Sequence, residues 1–468
     1  MTLHTSADTP ITCAYWDELV DEDGFLALGR NRYHCSYVIY TDGTYYYAEN
    51  GTTGNLDYGG PNNKGLVTGT SAVKVIQAAI NALPSGTEGE IFIRVGKYPI
   101  TEAIVLTGKD SITIRGENRG GSYYVPGTFQ DGTYLYLVNG SNDHLIEKVE
   151  VAPAKGGSVV LQDLGLDGNC DNQTLGGAFD VIHIEYAKEF IIERCTIQRG
   201  TRNGIRVMHS CENFWIINNR ILQNGNGQHC VFVSTSVGGK ILNNIILGAN
   251  AANMCGIYFE NACNYNHVFG NMISDNYYGI QFRTACHFNR VVSNGIAEND
   301  SHGFLIYNNC DDNVVSLNNI RDNAGYGIWI ADFGTAAEEN WVVANKITGN
   351  TNFGVRIEQL STQNHILDND VSNNAAGSIS DTSTGFNIKR ENYGYNPVAA
   401  STPAVGASPV TYGPYAYPMY IEVSGGTVTS VTVRAVASGL VSGGWMLYPS
   451  DTCVIVYAVV PVVKLWPQ

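Results

Sequence analysis

Two series of side chains recur about every two dozen residues in this chain. The first runs His183, Arg206, Phe232, Tyr258, Gln281, Leu305, Trp329, Arg356, and the second, two residues further on, runs Glu185, Met208, Ser234, Glu260, Arg283, Tyr307, Ala331, Glu358. Outward positions on a plain solvated surface should be small and polar, whereas these mix rings, cations and carboxylates. Rings stack on sugar faces, and charged groups hold hydroxyls or carboxylates. Glu185, Glu260, Arg283, Tyr307, Trp329, Arg356 and the nearby His209 are therefore candidate saccharide contacts. The same mixture arises where a loop or a partner subunit covers the aromatics. Elimination across a uronic acid needs a cation on the substrate carboxylate and a base for the C5 proton. Arg206 with Arg283 suits the first role, and His183, His209 or Tyr258 the second. Glu260 and Arg283 also read as a simple ion pair.

Hydrolysis asks instead for two carboxyls, about 5–5.5 Å apart in a retaining enzyme or about 6.5–9.5 Å in an inverting one. Glu185 and Glu260 are three repeats apart, roughly 14 Å at the strand spacing of a parallel sheet, and make a poor pair. Asp275, Glu298 and Asp322 each fall two residues after the Ile of an Asn-x-Ile unit, which puts neighbours about 5 Å apart and the outer two about 10 Å. Like charges that close raise a pKa, as a general acid requires, or bind a cation such as Ca²⁺. A solvated acidic edge with splayed side chains has the same pattern.

The elements that position these residues follow from the repeat itself. A small residue precedes an apolar pair at Gly204, Cys230, Gly256, Gly279, Gly303, Gly327 and Gly354, and Asn-x-Ile or Asn-x-Val recurs at Asn219, Asn244, Asn271, Asn294, Asn318, Asn345 and Asn369. Each small residue leads into a period-2 strand signal such as Ile205/Val207 or Ile280/Phe282. Asn and Gly between strands tolerate the left-handed backbone of a sharp corner. One repeat thus reads as one coil of a β solenoid, which buries its apolar face only by stacking on its neighbours. Cys211, Cys263, Cys286 and Cys310 share one column position, where parallel side chains suit buried small hydrophobes better than disulfides. Asn224, Asn276, Asn299, Asn323, Asn350 and Asn374 share another, where stacked amides can satisfy backbone groups.

These phrases, at this spacing, resemble the right-handed parallel β-helix superfamily, which includes pectate lyase-like enzymes, alginate epimerases and viral tailspikes. The stretch "TSAVKVIQAAINALPSGTEGEIFIRVGKYPI" is similar to its N-terminal cap, a helix from about Ser71 to Leu83 followed by a strand from Ile91 to Val95, and "LQDLGLDGN" at 161 to 169 to its early coils. The resemblance covers roughly 67–390 and implies an all-β solenoid acting on polysaccharide. The compact Asp-Pro-His motif of the epimerases is absent, so their chemistry does not carry over. Residues 1–66 read as an N-terminal β-rich module with a hairpin at Asp42-Gly43, 391–418 as a linker, and 419–468 as a small C-terminal β domain with turns at Gly425-Gly426 and Gly443-Gly444. Such an appendage resembles those that serve homotrimer formation or attachment.

The chain has 468 residues and a net charge of −16, without a basic cluster to offset it, which excludes nucleic acid as a partner. No apolar run is long enough for a membrane helix, and "MTLHTSADTP" lacks the regions of a signal peptide. Eleven cysteines are an odd number; Cys13, Cys35 and Cys453 lie outside the column and are left as candidates for pairing. Asp167, Asn169 and Asp171 start like a calcium loop, but Asn172 and Ala178 replace its Gly and Glu. No P-loop, dinucleotide, zinc or nucleophile-elbow motif occurs. The expectation is an extracellular, cell-surface or virion-borne β-helix that binds a polysaccharide or cell-surface glycan and cleaves it as a lyase or glycoside hydrolase, with no cofactor certain. The rival is a non-enzymatic adhesin, receptor-binding spike or filament subunit.

Overall fold

The computed structural model describes residues 35–84, 86–120, 132–152, 156–174, 179–222, 229–249, 251–395, 402–414, 419–448 and 451–467. They fall into two units that meet in sequence between Ile257 and Tyr258.

In the first unit the expected helix is Ala72–Ala82 (α1). The Ser71 hydroxyl caps it by accepting the Lys74 N–H, and its buried stripe is Ala72, Val73, Val75, Ile76, Ala79 and Ile80. The expected hairpin is Tyr37–Thr41 against Tyr46–Asn50, closed by the Asp42 carboxylate, which accepts the Thr44 and Tyr45 N–H groups. Tyr37–Thr41 also pairs in parallel with Gly89–Ile93, so the hairpin prolongs a sheet of the solenoid.

From there the chain winds as a right-handed parallel β-helix, each coil giving a short strand to each of three sheets. Ile191–Glu193, Trp215–Ile217 and Lys240–Leu242 pair in the first sheet. Thr196–Gln198, Arg220–Leu222 and Ile245–Leu247 pair in the second, and Ile182–Glu185, Ile205–Met208 and Val231–Ser234 in the third. The second unit repeats the arrangement. Its third sheet brings Tyr278–Arg283, Phe304–Tyr307, Ile328–Ile330 and Phe353–Ile357 into register. Alternate residues of each strand, such as Ile182, Ile184, Ile205 and Val207, are buried in the bore.

The corners explain the asparagines. From Asn218 onward a residue of positive φ, such as Ser293 or Leu317, ends the strands of the first sheet, and a buried Asn follows. Asn294 Oδ1 accepts both the backbone N–H and the side-chain amide of Asn271, each at 2.9 Å, while its own amide donates to Val268 O at 3.0 Å. The expected column Asn276–Asn299–Asn323–Asn350–Asn374 forms a second such ladder; Asn224 lies outside the described residues. A third ladder, Asn266–Asn289–Asn313–Asn340–Asn364–Asn387, was not evident from the Asn-x-Ile spacing.

Cys211, Cys263, Cys286 and Cys310 are free thiols in the core, as are Cys35 and Cys453; Cys13 lies outside the described residues. The calcium-loop reading fails at Asp167, whose buried carboxylate is taken by Arg199 (2.7 Å) and the Tyr134 hydroxyl (2.6 Å). The C-terminal part holds two antiparallel sheets around Ile421, Val423, Val431, Leu447, Ile455 and Val463. Its strand Val410–Tyr412 falls inside the stretch read as a linker. Gly443 and Gly444 open the strand Gly443–Leu447 instead of forming a turn. A Cβ at Gly444 would collide with the Tyr420 hydroxyl, so that ring would have to move to admit a larger residue.

Candidate functional site

In the third sheet of the first unit His183, between the core residues Ile182 and Ile184, and Glu185, after them, take the outward positions, and His183 is nonetheless buried. Parallel register places Glu147 on one side of His183 and Arg206 on the other. Three residues before His183, Asp180 is 1% exposed and anchors the group. Its Oδ1 accepts the Asn203 N–H (3.1 Å) and side-chain amide (2.7 Å). Its Oδ2 lies 2.9 Å from His183 Nδ1, and 3.7 Å from both His144 Nδ1 and an Arg206 terminal nitrogen. The other His183 nitrogen, Nε2, lies 2.7 Å from Glu185 Oε1, and Glu185 Oε2 lies 2.8 Å from His209 Nδ1.

The electrostatics follow from these contacts. Burial disfavours a charged His183, but hydrogen bonds and charge from Asp180 and Glu185 outweigh it and raise its pKa. A carboxylate at each ring nitrogen favours the protonated ring, in which both nitrogens donate. Burial likewise opposes a charged Glu185, and His209 and His183 overcome it, holding the carboxyl below its usual range. His144 is pushed down by burial and its Nδ1 accepts the Asp180 N–H at 2.9 Å. Glu147 is pushed up, chiefly by burial. Arg206 is desolvated, rests 5.7 Å from the Phe232 ring centroid, and leaves a buried Nε without a hydrogen-bond partner. The group thus offers an oriented histidine and a cation that is paired with Asp180 at one terminal nitrogen and still has a free Nε donor. Donor atoms of His144, Asp180 and His183 also lie within 4.8 Å of one another, a set of two imidazoles and a carboxylate able to hold a metal ion.

Four sequence candidates, His183, Glu185, Arg206 and His209, meet here. Asp180 and His144 were missed. Asp180 precedes the strand, off the period-2 series, and the only signal for it is the Asp-x-x-His-x-Glu spacing at 180, 183 and 185. His144 belongs to an early coil where the repeat is longest.

The remaining candidates belong to the second unit. Tyr258 donates to Glu260 Oε1 (2.9 Å) and accepts from Arg283 (3.2 Å), and Arg283 lies 3.4 Å from Glu260. Burial raises the Tyr258 pKa, with Glu260 adding to the effect, which keeps the phenol protonated and works against a base role. Gln281 donates to the Tyr307 hydroxyl at 2.8 Å. Tyr307 and Leu305 are buried, with Trp329 packed on them, and Phe333 lies edge-on to both rings. A loop therefore covers part of the aromatic series. Arg356 pairs with Glu358 at 3.5 Å. Asp275, Glu298 and Asp322 occupy exposed corner positions of positive φ, and Arg321 pairs with both Asp322 and Glu298.

Among solved structures, the chain is similar to the A-module of the Azotobacter vinelandii mannuronan C-5 epimerase AlgE6, at 17% identity and a TM-score of 0.51 over 70% of this chain and 96% of that one. It is also similar to DFA-IIIase from Arthrobacter chlorophenolicus A6 (15%, TM-score 0.49, 69% and 83%) and to ORF18 of Geobacillus virus E2 (13%, TM-score 0.46, 80% and 72%). A comparison with curated proteins gave no match. The profile of the NosD family, described as periplasmic copper-binding protein (NosD), matches residues 110–304 and 285–401, more than half of the chain, and the chain belongs to that family.

Proposed function

We propose that this protein binds an acidic polysaccharide on the outward face of the third sheet of its first unit and cleaves it there by elimination. The observation that carries the reading is the meeting of Asp180, His183, Glu185 and His209 in one hydrogen-bonded group with Arg206 ion-paired to it at 3.7 Å. Arg206, with its unpartnered Nε, takes the uronate carboxylate. His209, held at Nδ1 by Glu185, presents Nε2 as the base for the C5 proton. The proton that His209 takes from C5 then passes to the leaving oxygen as the C4–O bond breaks, and His183, bonded to a carboxylate at each ring nitrogen, holds Glu185 in place. Hydrolysis has less support, because Glu185 is already engaged by two imidazoles and the 275/298/322 corner is exposed and shared with Arg321. The mannuronan epimerase is by its name an enzyme of a uronate polymer, and that polymer class comes to this chain as part of the proposal. So does a location outside the cytoplasm, from the family's periplasmic description. Among the described residues, no helix is long and apolar enough to cross a membrane.

The test is a screen of the purified protein on neutral and uronic-acid polysaccharides, following unsaturated-uronate absorbance and new reducing ends. Absorbance with new ends is expected, and His209→Gln should lower kcat/KM at least about 100-fold, the scale of general base catalysis. New ends without absorbance would replace elimination by hydrolysis. Silence across the panel would favour the adhesin, spike or filament reading.

A second reading rests on the family's description and on the donor set. His144, Asp180 and His183 are the residues that would hold a copper ion, since imidazole suits this metal. Bound there, copper would supply Lewis-acid polarisation. Because both His183 nitrogens face carboxylates, the ion would replace a proton, so binding should release acid. Titration with Cu²⁺ followed by electron paramagnetic resonance should show nitrogen ligation that His144→Ala removes; a signal unchanged by that substitution would discard the site.

A further inference from the structure

In the second unit the corner asparagines Asn289, Asn313, Asn340 and Asn364 are spaced by 24, 27 and 24 residues. The middle coil is therefore the longer one, and its additional residues follow the strand Ile328–Ile330, in the stretch that holds loop 332–335. This loop leaves the solenoid after the bond from the Ala331 N–H to Ile306 O (2.8 Å) and rejoins it at the bond from the Asn309 N–H to Ala336 O (2.7 Å). It carries Phe333, which is 56% exposed, and Gly334, whose φ of 100° makes a pivot that a residue with a β-carbon would resist. Phe333 stands edge-on to Trp329 (5.3 Å between ring centres, 67°) and to Tyr307 (5.0 Å, 79°). Trp329 is in turn edge-on to His302 (4.8 Å, 79°).

Two buried polar atoms at this loop have no hydrogen-bond partner among the described residues. One is a donor, Trp329 Nε1, and the other an acceptor, Asn308 Oδ1. Asn308 follows Tyr307 and lies, in the chain, between the two residues whose backbone bonds pin the ends of the loop. Phe333 thus covers the two rings that adjoin both atoms. Unpaired buried groups are costly and call for a partner. A hydroxyl both donates and accepts, so a hydroxylated ring can serve the two atoms together, and its C–H face suits aromatic rings. That combination describes a sugar. Charge has little part in it: Arg283, 6.0 Å from the Tyr307 ring centre, and Arg356, opposite Trp329 in register, are ion-paired with Glu260 (3.4 Å) and Glu358 (3.5 Å).

We propose that this part of the second unit is a binding subsite for one neutral sugar ring of a polysaccharide, with Phe333 as its movable cover. Loop 332–335 lifts about Gly334, the sugar hydroxyls reach Trp329 Nε1 and Asn308 Oδ1, and Phe333 closes on the C–H face of the sugar. The proposal rests on the reading of this protein as a polysaccharide binder, but not on the elimination assigned to its first unit.

The experiment is affinity electrophoresis of the full chain through gels containing galactomannan, xyloglucan, dextran or alginate, each at low and high salt. A neutral polymer should retard the protein, and high salt should not release it, because salt screens charges and leaves stacking and neutral hydrogen bonds in place. Trp329→Phe keeps a ring and removes the Nε1 donor. Asn308→Gly removes Oδ1 and suits the φ of 56° at that position. Phe333→Ala removes the exposed ring. Each should weaken binding about tenfold, the equivalent of one hydrogen bond or stacking contact. Tyr265→Ala, which removes another exposed ring of the second unit, should bind as the wild type does. Phe333→Ala should also unfold at the wild-type temperature, which separates loss of the subsite from loss of the fold. Wild-type binding by all three variants, or no neutral polymer retained at high salt, would overturn the proposal. Salt-resistant binding that the three substitutions weaken, without any unsaturated-uronate product, would uphold the subsite and end the elimination reading; product formation with binding indifferent to them would do the reverse.

Discussion

Asn318 and Asn319 are neighbours of the same type with opposite roles. Asn318 is buried; its amide donates to Val291 O and Asn345 Oδ1, both at 2.9 Å, and its Oδ1 accepts from the Asn294 backbone (2.9 Å) and side chain (3.0 Å). Asn319 points to solvent. Asn318→Ala leaves several buried partners unpaired and should cost about 3 kcal/mol, whereas Asn319→Ala should stay within about 0.5 kcal/mol of wild type. Urea midpoints at unchanged slope would measure both, and equal effects would deny the ladder its stabilising role. The same scale shows how far the site was legible. Period-2 alternation reports which residues of a strand face outward, so His183, Glu185 and Arg206 were visible as a set. It reports nothing about residues before a strand, so Asp180, which carries most of the hydrogen bonds, was not. Nor does spacing reveal whether an outward ring is covered, as Leu305 and Tyr307 are beneath Trp329.

At the scale of the element, corners decide the fold. Leu317 sits at φ 58° and is 61% exposed, so it carries the cost of a left-handed β-carbon without burying its side chain. Leu317→Asn should stabilise the second unit by about 0.5–1 kcal/mol, because Asn adopts this conformation more readily, and a calorimetric scan should show a small rise in midpoint. Gly303 shows the opposite limit. A Cβ there would meet Gly327 O and Ile320 Cγ2, both at 2.7 Å, so Gly303→Ala should destabilise by about 1–3 kcal/mol through overpacking. A stable Gly303→Ala protein would mean that the coils can separate locally. Such restrictions are why the solenoid could be read from sequence: Gly, Asn and Cys recur where a larger side chain collides or a buried backbone group needs a partner. The ends were less legible because their pairings are not periodic. Nothing in "YVIYTDGTYYYAENG" says that its first strand continues a parallel sheet, and Gly443-Gly444 has the composition of a turn although it makes room for Tyr420.

Across the whole molecule, stability should depend on pH through a buried histidine in the first unit and a half-buried one in the second. His229, in the first, is pushed down to about 3, by burial and then by Arg202. His302, in the second, is pushed down to about 4 by burial, where its Nδ1 accepts the Tyr326 N–H at 2.9 Å and its ring stacks between Tyr278 and Tyr326. A folded-state pKa below the unfolded value of about 6.5 means that the unfolded chain binds the proton first. The stabilisation from each neutral histidine is therefore complete above about pH 6.5 and is lost as pH falls through that value towards the folded pKa. The net charge of −16 works in the other direction over the same range, since protonating carboxylates relieves self-repulsion. The raw pH profile thus mixes two effects of opposite sign, and a substitution separates them. His302→Gln keeps an acceptor for the Tyr326 N–H but cannot titrate, so its urea midpoint should fall less than that of the wild type between pH 7 and pH 4.5. The difference should be of the order of 1 kcal/mol or more, since a tenfold difference in proton affinity between the folded and unfolded chain is worth about 1.4 kcal/mol. Parallel profiles for the two proteins would show that His302 takes up its proton in the folded state at its ordinary pKa.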